Sequence, residues 1–165
     1  KKNGLGLLLW GSVGSGKSYM AACVANELIK QGADVKMTNF ATVLNDLFNC
    51  EDKNEYIRSL CRYSLLILDD LGIERNTEYS LENLFNVIDA RYVSGKAMII
   101  TTNLNLEELK NQKQLSLKRI YDRVLERCIP VCVSENDFRK DNRVEAKVKF
   151  GKIINGGKMD EEKYE

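Results

Sequence analysis

The glycine-rich stretch GSVGSGKS, residues 11–18, most restricts how this chain can fold. It follows the apolar run LGLLLW (5–10), opens a helical pattern, and matches G-x-x-x-x-G-K-[S/T] in a strand-to-helix context. Its glycines let the backbone curl so that successive N–H groups point inward, and the N-terminus of the following helix adds partial positive charge. The stretch therefore predicts a nucleoside triphosphate site.

The two side chains that end this loop have separate predicted tasks. Lys17 can reach the β- and γ-phosphates, and the hydroxyl of Ser18 can ligate Mg²⁺. The backbone N–H groups of the loop would surround the phosphates. The predicted nucleotide-binding residues are Gly11, Ser12, Val13, Gly14, Ser15, Gly16, Lys17, Ser18 and Tyr19.

Short apolar runs alternate with helical patterns along the rest of the chain. This alternation predicts an α/β fold with a parallel sheet, helices on both of its faces, and ligands at the carboxyl ends of the strands. The predicted strands are 5–10, 34–38, 65–69, 97–101 and 129–133. The predicted helices are 17–32, 40–48, 55–60, 80–95 and 115–128.

Composition excludes several classes of protein. With 165 residues, 44% of them hydrophobic and 30% charged, the chain suits one ordinary globular domain and is neither disordered nor a membrane protein. Five cysteines, an odd number with no secretory signal before them, predict reduced thiols in the cytoplasm. The chain has no histidine, so catalysis would need carboxylates, lysine or a metal ion.

Two adjacent carboxylates end the third predicted strand, LLILDD (65–70). A single carboxylate there could cap a helix or form an ion pair. Two beside a bound triphosphate would repel each other without a cation near them. We therefore assign Asp69 to Mg²⁺ and Asp70 to the orientation of the attacking water.

Two further polar groups follow at later points. The fourth predicted strand ends TTN (101–103), where Asn103 either starts a turn or holds the lytic water or the γ-phosphate with its amide. In RIYDRVLER, Arg119, Arg123 and Arg127 form one stripe of a helix. That stripe is either a solvated face with weak ion pairs or a means of reaching a phosphate.

With GLLLWGSVGSGKSYMAACVANELI, LLILDDLG, TTN and RIYDRVLERC followed by DFR in this order, the chain resembles AAA+ ATPases. Within them it is similar to the DnaC-type helicase loaders and the IstB-type transposition ATPases, over about residues 4–143. The resemblance implies a P-loop NTPase fold with strand order 5-1-4-3-2 and little or no lid domain. It also implies ATP and Mg²⁺ as cofactors and an ATPase that is weak as an isolated monomer.

The resemblance gives roles to further residues. Asn103 would lie between the phosphate loop 11–18 (Walker A) and the carboxylates that end 65–70 (Walker B). Arg123 would be an arginine finger acting on a neighbouring subunit, and Arg139 would be the second sensor arginine. The expected catalytic residues are then Lys17, Asp69, Asp70, Asn103, Arg123 and Arg139. The expected metal ligands are Ser18 and Asp69.

Domain organisation is also an expectation at this point. Residues 1–150 would form the ATPase core, 151–165 a flexible tail, and the partner-docking N-terminal region of the family would be absent from this chain. Lys110–Lys152 carries roughly twice as many basic as acidic residues. Because 49–56 is acidic, Lys110, Lys113 and Lys118 are the better candidates for contact with single-stranded DNA, and the alternative is a solvated lysine-rich loop.

Four functions fit these observations. The first is a self-associating ATPase that loads a replicative hexameric helicase, and the second is the same ATPase assisting a transposase. The third is a small-molecule kinase, although paired carboxylates followed by TTN suit hydrolysis better. The fourth is an adaptor that binds ATP with little turnover. A GTPase is not expected, because the chain lacks an N-K-x-D motif.

Overall fold

The computed structural model describes residues 4–72 and 77–133. Eleven helices and strands are described in these two ranges, and all but one match a predicted element to within two residues at most of their ends. They are β1 (Gly6–Trp10), α1 (Lys17–Lys30), β2 (Val35–Asn39), α2 (Phe40–Asn49), α3 (Lys53–Leu60), β3 (Leu65–Leu71), α4 (Glu78–Ser94), β4 (Ala97–Thr102), α5 (Leu106–Lys110), α6 (Leu115–Arg127) and β5 (Cys128–Cys132).

The five strands form one sheet in the order β2-β3-β4-β1-β5, and every pair in it is parallel. This is the predicted order 5-1-4-3-2 counted from the opposite edge, so the predicted fold class is confirmed. The exception among the elements is α5, which the sequence analysis missed. This helix has only five residues, and its start is fixed by a capping box between Asn105 and Glu108.

The core lies on both faces of the sheet because successive strand residues point to opposite sides. Leu66 and Leu68 of β3 belong to the larger cluster, which contains residues of α2 to α6. Leu65 and Ile67 of the same strand belong to the smaller cluster, which contains Ala21 of α1. The helices therefore cover both faces, as predicted.

Two further properties concern the chain as a whole. All five cysteines lie among the described residues and are free thiols, and burial raises the pKa of Cys128 to about 12. In the two described ranges, no helix is long and apolar enough to cross a membrane.

A buried arginine joins three elements at the N-terminal edge of the sheet. Arg91 of α4 is fully buried, and burial lowers its pKa. Its guanidinium donates to the carbonyl oxygens of Tyr63 (2.7 Å) and Ser64 (3.0 Å), just before β3, and through Nε to Ala97 of β4 (3.2 Å). A longer contact of 3.4 Å reaches Leu60, the last residue of α3. We call this group the Arg91 clamp.

We expect Arg91→Met to lower the free energy of unfolding by about 3 kcal/mol or more. The methionine fills much of the space, but it leaves these partly buried carbonyl groups without the guanidinium as a donor. Urea denaturation followed by circular dichroism measures the loss. Arg91→Lys keeps the charge without the planar fork and should fall between the two proteins. A methionine variant as stable as the parent would show that water replaces the guanidinium without cost.

Candidate nucleotide-binding site

The parallel sheet brings the predicted motifs to one edge. The loop 11–16 follows β1, the carboxylates lie at the end of β3, and Asn103 follows β4. Strand β4 lies between β1 and β3, and Thr102 pairs with both Trp10 and Leu71. Since neighbouring strands are about 4.8 Å apart, the three strand ends lie within about 10 Å of one another.

The loop can approach phosphate closely because of its glycines. Gly11, Gly14 and Gly16 have φ values of 144°, 87° and 95°, which L-residues with a side chain rarely adopt. A Cβ at Gly11 would also lie 2.6 Å from the carbonyl oxygen of Val133. Gly16 is the N-cap of α1, so no side chain caps the first N–H groups of the helix. The N-terminus of α1 therefore remains suited to an anion.

Two polar side chains are enclosed by the loop. Lys17 is buried, and its ammonium donates to the carbonyl oxygens of Gly11 (3.0 Å) and Ser12 (2.7 Å). Ser15 is also buried, and its hydroxyl oxygen has no hydrogen-bond partner among the described residues. Bound phosphate would accept hydrogen bonds from both groups. The buried Ser15 hydroxyl, which has no partner among the described residues, fits a phosphate ligand better than a loop whose role is only structural.

The remaining predicted loop residues differ in exposure. Gly14 and Ser18 are half-buried, whereas Ser12, Val13 and Tyr19 are exposed. The Tyr19 side chain is 76% exposed. Tyr19 lies in the first turn of α1, and its contact with nucleotide stays a prediction.

The paired carboxylates lie in a β-bulge. The register between β3 and β4 shifts between Leu68 and Leu71, and Asp70 has a φ of 56°. Among the described residues other than glycine, Asp70 alone has a positive φ. Asp69 is half-buried and Asp70 is exposed. Bulges and left-handed residues often lie beside active sites, because they turn a side chain away from the regular pleat.

A threonine that the sequence analysis did not select holds this bulge. Thr101 is fully buried; its hydroxyl donates to Oδ1 of Asp69 (2.6 Å) and accepts from the N–H of Asp70 (2.8 Å). One hydroxyl therefore fixes the Asp69 side chain and the unusual backbone of Asp70. Next to it, the hydroxyl of Thr102 donates to the carbonyl oxygen of Leu71 (2.7 Å). Asn103 follows at the edge and is half-buried.

Arg123 is not part of this edge. Helix α6 leads directly into Cys128, which pairs with Gly6 at the beginning of β1. Arg123 therefore lies in the half of α6 that is nearer to the N-terminal edge of the sheet. This position is compatible with action on another chain, and it does not test that role. Arg139, the other predicted arginine, lies outside the described residues.

The three arginines of the predicted stripe all pack against aromatic rings of α4. Arg119 lies 4.7 Å from the ring centre of Phe85. Arg123 and Arg127 lie 4.5 and 5.8 Å from the ring centre of Tyr92. The stripe is therefore part of the contact between α4 and α6 and not only a solvated face.

Comparison with known proteins agrees with this site. The family model described as IstB-like ATP binding protein matches residues 2–146. The chain belongs to this family. In this chain the P-loop lies at the carboxyl ends of the strands of a five-stranded parallel sheet, the fold of the AAA+ proteins that it resembles.

The names of two relatives of this chain describe different roles. The chain is 29% identical, over 61% of its length, to a putative ATP-binding protein in an insertion sequence of Mycobacterium tuberculosis (strain ATCC 25618 / H37Rv). It is 28% identical, over 69% of its length, to the replicative helicase loader DnaC of Escherichia coli (strain K12). It spans 41% of the first relative and 47% of the second.

The crystal structure of DnaI has the same fold. It superposes with a TM-score of 0.68 and 25% sequence identity, and the match covers 83% of this chain and 73% of DnaI. DnaI and the two relatives are each similar to a large part of this chain. The names of the two relatives describe different processes.

We expect Thr101→Val to lower the ATPase rate about 10- to 100-fold and to raise the Mg²⁺ concentration required for half-maximal rate. Valine has the shape of threonine, but it frees the Asp69 carboxylate to rotate, and groups that orient a metal ligand typically contribute this much. Steady-state turnover against Mg²⁺ concentration measures both effects.

Two variants serve as controls for this prediction. Thr101→Ser keeps the hydroxyl and should keep most of the activity. Thr102→Val removes a buried hydroxyl that bonds only backbone groups, at Leu71 and Leu104. It should lower stability without changing the Mg²⁺ dependence. Equal effects of the two valine variants on Mg²⁺ dependence would contradict the assignment of Thr101.

Proposed function

We propose that the protein is a Mg²⁺-dependent ATPase that hydrolyses ATP between subunits and loads a replicative helicase onto DNA. The observation that carries the ATPase part is the arrangement at the carboxyl edge of the sheet. There the phosphate loop, with its buried Lys17, lies two strands from the Asp69–Asp70 bulge that Thr101 holds. The wider role is supported by similarity to a helicase loader.

Within one chain, the loop and the carboxylates divide the work. The N–H groups of the loop and Lys17 would hold the phosphates, and Ser18 and Asp69 offer the oxygen ligands that Mg²⁺ prefers. The metal ion would neutralise the negative charge that develops on the β- and γ-phosphates. Asp70 would orient the attacking water and accept its proton, while the amide of Asn103 donates to the γ-phosphate or to that water.

Arg123 would complete the site of a neighbouring subunit. An arginine supplied in trans stabilises charge on the transferred phosphoryl group, and its removal typically costs three to five orders of magnitude in rate. An isolated chain would therefore hydrolyse ATP slowly. Assembly through the ATP site would raise its activity.

We expect ATP turnover per chain to rise with protein concentration, and Arg123→Ala to abolish this rise. The test of trans action mixes Arg123→Ala with Lys17→Ala. Neither variant should be active alone, but a Lys17→Ala chain can still offer Arg123 to the intact phosphate loop of its neighbour. The mixture should therefore regain activity.

Constant specific activity over the whole concentration range, unaffected by Arg123→Ala, would contradict shared catalysis. It would favour a site complete within one chain, as in a small-molecule kinase.

We also expect single-stranded DNA to activate turnover, so the assay should include it. Lys110, Lys113 and Lys118 are exposed around the junction of α5 and α6, where cations can bind phosphates without regard to sequence.

The second candidate function keeps the ATPase and changes the partner to a transposase. The relative encoded in an insertion sequence favours it. We expect the chain, expressed with the partner-docking N-terminal region that the resemblance implies, to retain a purified hexameric replicative helicase in a pull-down with ATP and not a transposase of the insertion-sequence type. Retention of the transposase alone would replace the first candidate by the second. A Lys17→Ala chain is the control for nucleotide dependence.

A further inference from the structure

Helix α4 holds the guanidinium of Arg123 from two sides. Nε of Arg123 lies 3.2 Å from Oδ1 of Asp89, and the guanidinium lies over the ring of Tyr92, 4.5 Å from its centre. Asp89 and Tyr92 are three residues apart, so they share one face of α4. We call these two residues the α4 cradle.

The cradle is itself fixed by a contact with α6. The hydroxyl of Tyr92 donates to Oε1 of Glu126 (2.7 Å), and this hydrogen bond raises the pKa of Tyr92. The other oxygen of Glu126 lies 3.9 Å from Nη1 of Arg123. The ring therefore cannot turn away from Arg123 without breaking its bond to Glu126.

The two carboxylates near Arg123 differ in exposure. The Asp89 side chain is 32% exposed, and its Oδ1 is buried and makes no hydrogen bond among the described residues, so its contact with Nε of Arg123 is an ion pair. The Glu126 side chain is 60% exposed. An ion pair with a buried oxygen is screened less by water and salt than an exposed pair. Asp89 is therefore the stronger of the two anchors.

The direction of the contact suits a group that must reach outward. A guanidinium whose Nε faces a carboxylate presents its outer edge, Nη1 and Nη2, to a phosphate, which would displace the exposed Glu126 oxygen that lies 3.9 Å from Nη1. The Arg123 side chain is 39% exposed. A free arginine side chain carries about 2 kcal/mol of rotamer entropy, and holding it beforehand removes much of that cost from the catalytic step.

We propose that Asp89 and Tyr92 are positioning residues, which direct Arg123 toward the γ-phosphate bound by a neighbouring subunit. This inference rests on the proposed function, because it requires Arg123 to act in trans. Both residues lie in the last two turns of α4, toward the beginning of β4 and away from the carboxyl ends of the strands where the phosphate loop lies. Loss of the cradle should therefore impair the chain as a donor of Arg123 and leave it intact as an acceptor.

The test variants are Asp89→Asn and Tyr92→Leu. Asparagine has the shape of aspartate without its charge, and leucine fills space without a π face. Each should lower kcat of the assembled protein about 100-fold, the cost of a catalytic group misplaced by about 1 Å, and leave KM for ATP unchanged. Tyr92→Phe keeps the ring and should keep most of kcat.

The chain provides a matched control between the same two helices, two turns earlier in α4 and one turn earlier in α6. Arg119 lies over the ring of Phe85 at 4.7 Å, nearly the same distance as Arg123 over Tyr92. Phe85→Leu removes the same kind of contact between the same two helices. It should change stability about as much as Tyr92→Leu does, with kcat unchanged.

Mixing with Lys17→Ala separates positioning from a structural effect. A Lys17→Ala chain carries an intact cradle and Arg123, so it should restore turnover at the phosphate loop of an Asp89→Asn or Tyr92→Leu neighbour. A misfolded or poorly assembling variant would not be restored. Thermal melting of each variant by circular dichroism gives an independent measure of folding.

Three results would overturn the positioning role: full activity of both test variants, increased activity, or lost activity that Lys17→Ala does not restore. Increased activity would mean that Asp89 restrains Arg123 instead of directing it. The parallel mixture of Arg123→Ala with Lys17→Ala tests the proposed function separately. Its failure to regain turnover would refute trans action itself, whereas its success with failure of the cradle variants would refute the cradle alone.

Discussion

The hydroxyl of Thr101 is the contact on which the arrangement of the carboxylates depends. It joins β4 to β3 where the register between the two strands shifts, and it bonds both the Asp69 carboxylate and the Asp70 backbone. A bulge without such a bond could relax into regular pairing, and the second carboxylate would then point along the opposite face of the sheet. The geometry of two acidic residues is therefore fixed by a neutral side chain on another strand.

The fold was predictable because its signals are local and strong. A glycine-rich loop between an apolar run and a helical pattern, and buried parallel strands with near-continuous apolar sequence, can be recognised within a few residues. Helix α5 was missed because five residues are too few for a periodic pattern, and only the pair Asn105 and Glu108 indicated its start. The predicted strand ends, by contrast, placed Lys17, Asp69 and Asn103 at one edge.

The missed residues all act across long separations in sequence. Thr101 bonds Asp69 from 32 residues away, Tyr92 bonds Glu126 from 34 residues away, and Arg91 bonds Tyr63 from 28 residues away. Such contacts depend on strand register and helix rotation, which a single sequence does not fix. Arg91 is the clearest example, since a charged residue near the end of an amphipathic helix is usually exposed. The sequence therefore indicates the motifs that hold nucleotide more clearly than the residues that orient them.

The Arg91 clamp has a mechanical consequence for the proposed assembly. Asp89 and Tyr92 lie beside Arg91 on α4, and Arg91 ties that helix to Ala97 at the beginning of β4 and to the segment before β3. The far ends of the same two strands carry Thr101 and Asp69. A pull on Arg123 by a neighbouring subunit would thus be borne by the stiff central strands instead of being absorbed by a pliable surface helix. Force at the interface would then reach the same two strands, β3 and β4, that hold the carboxylates in place.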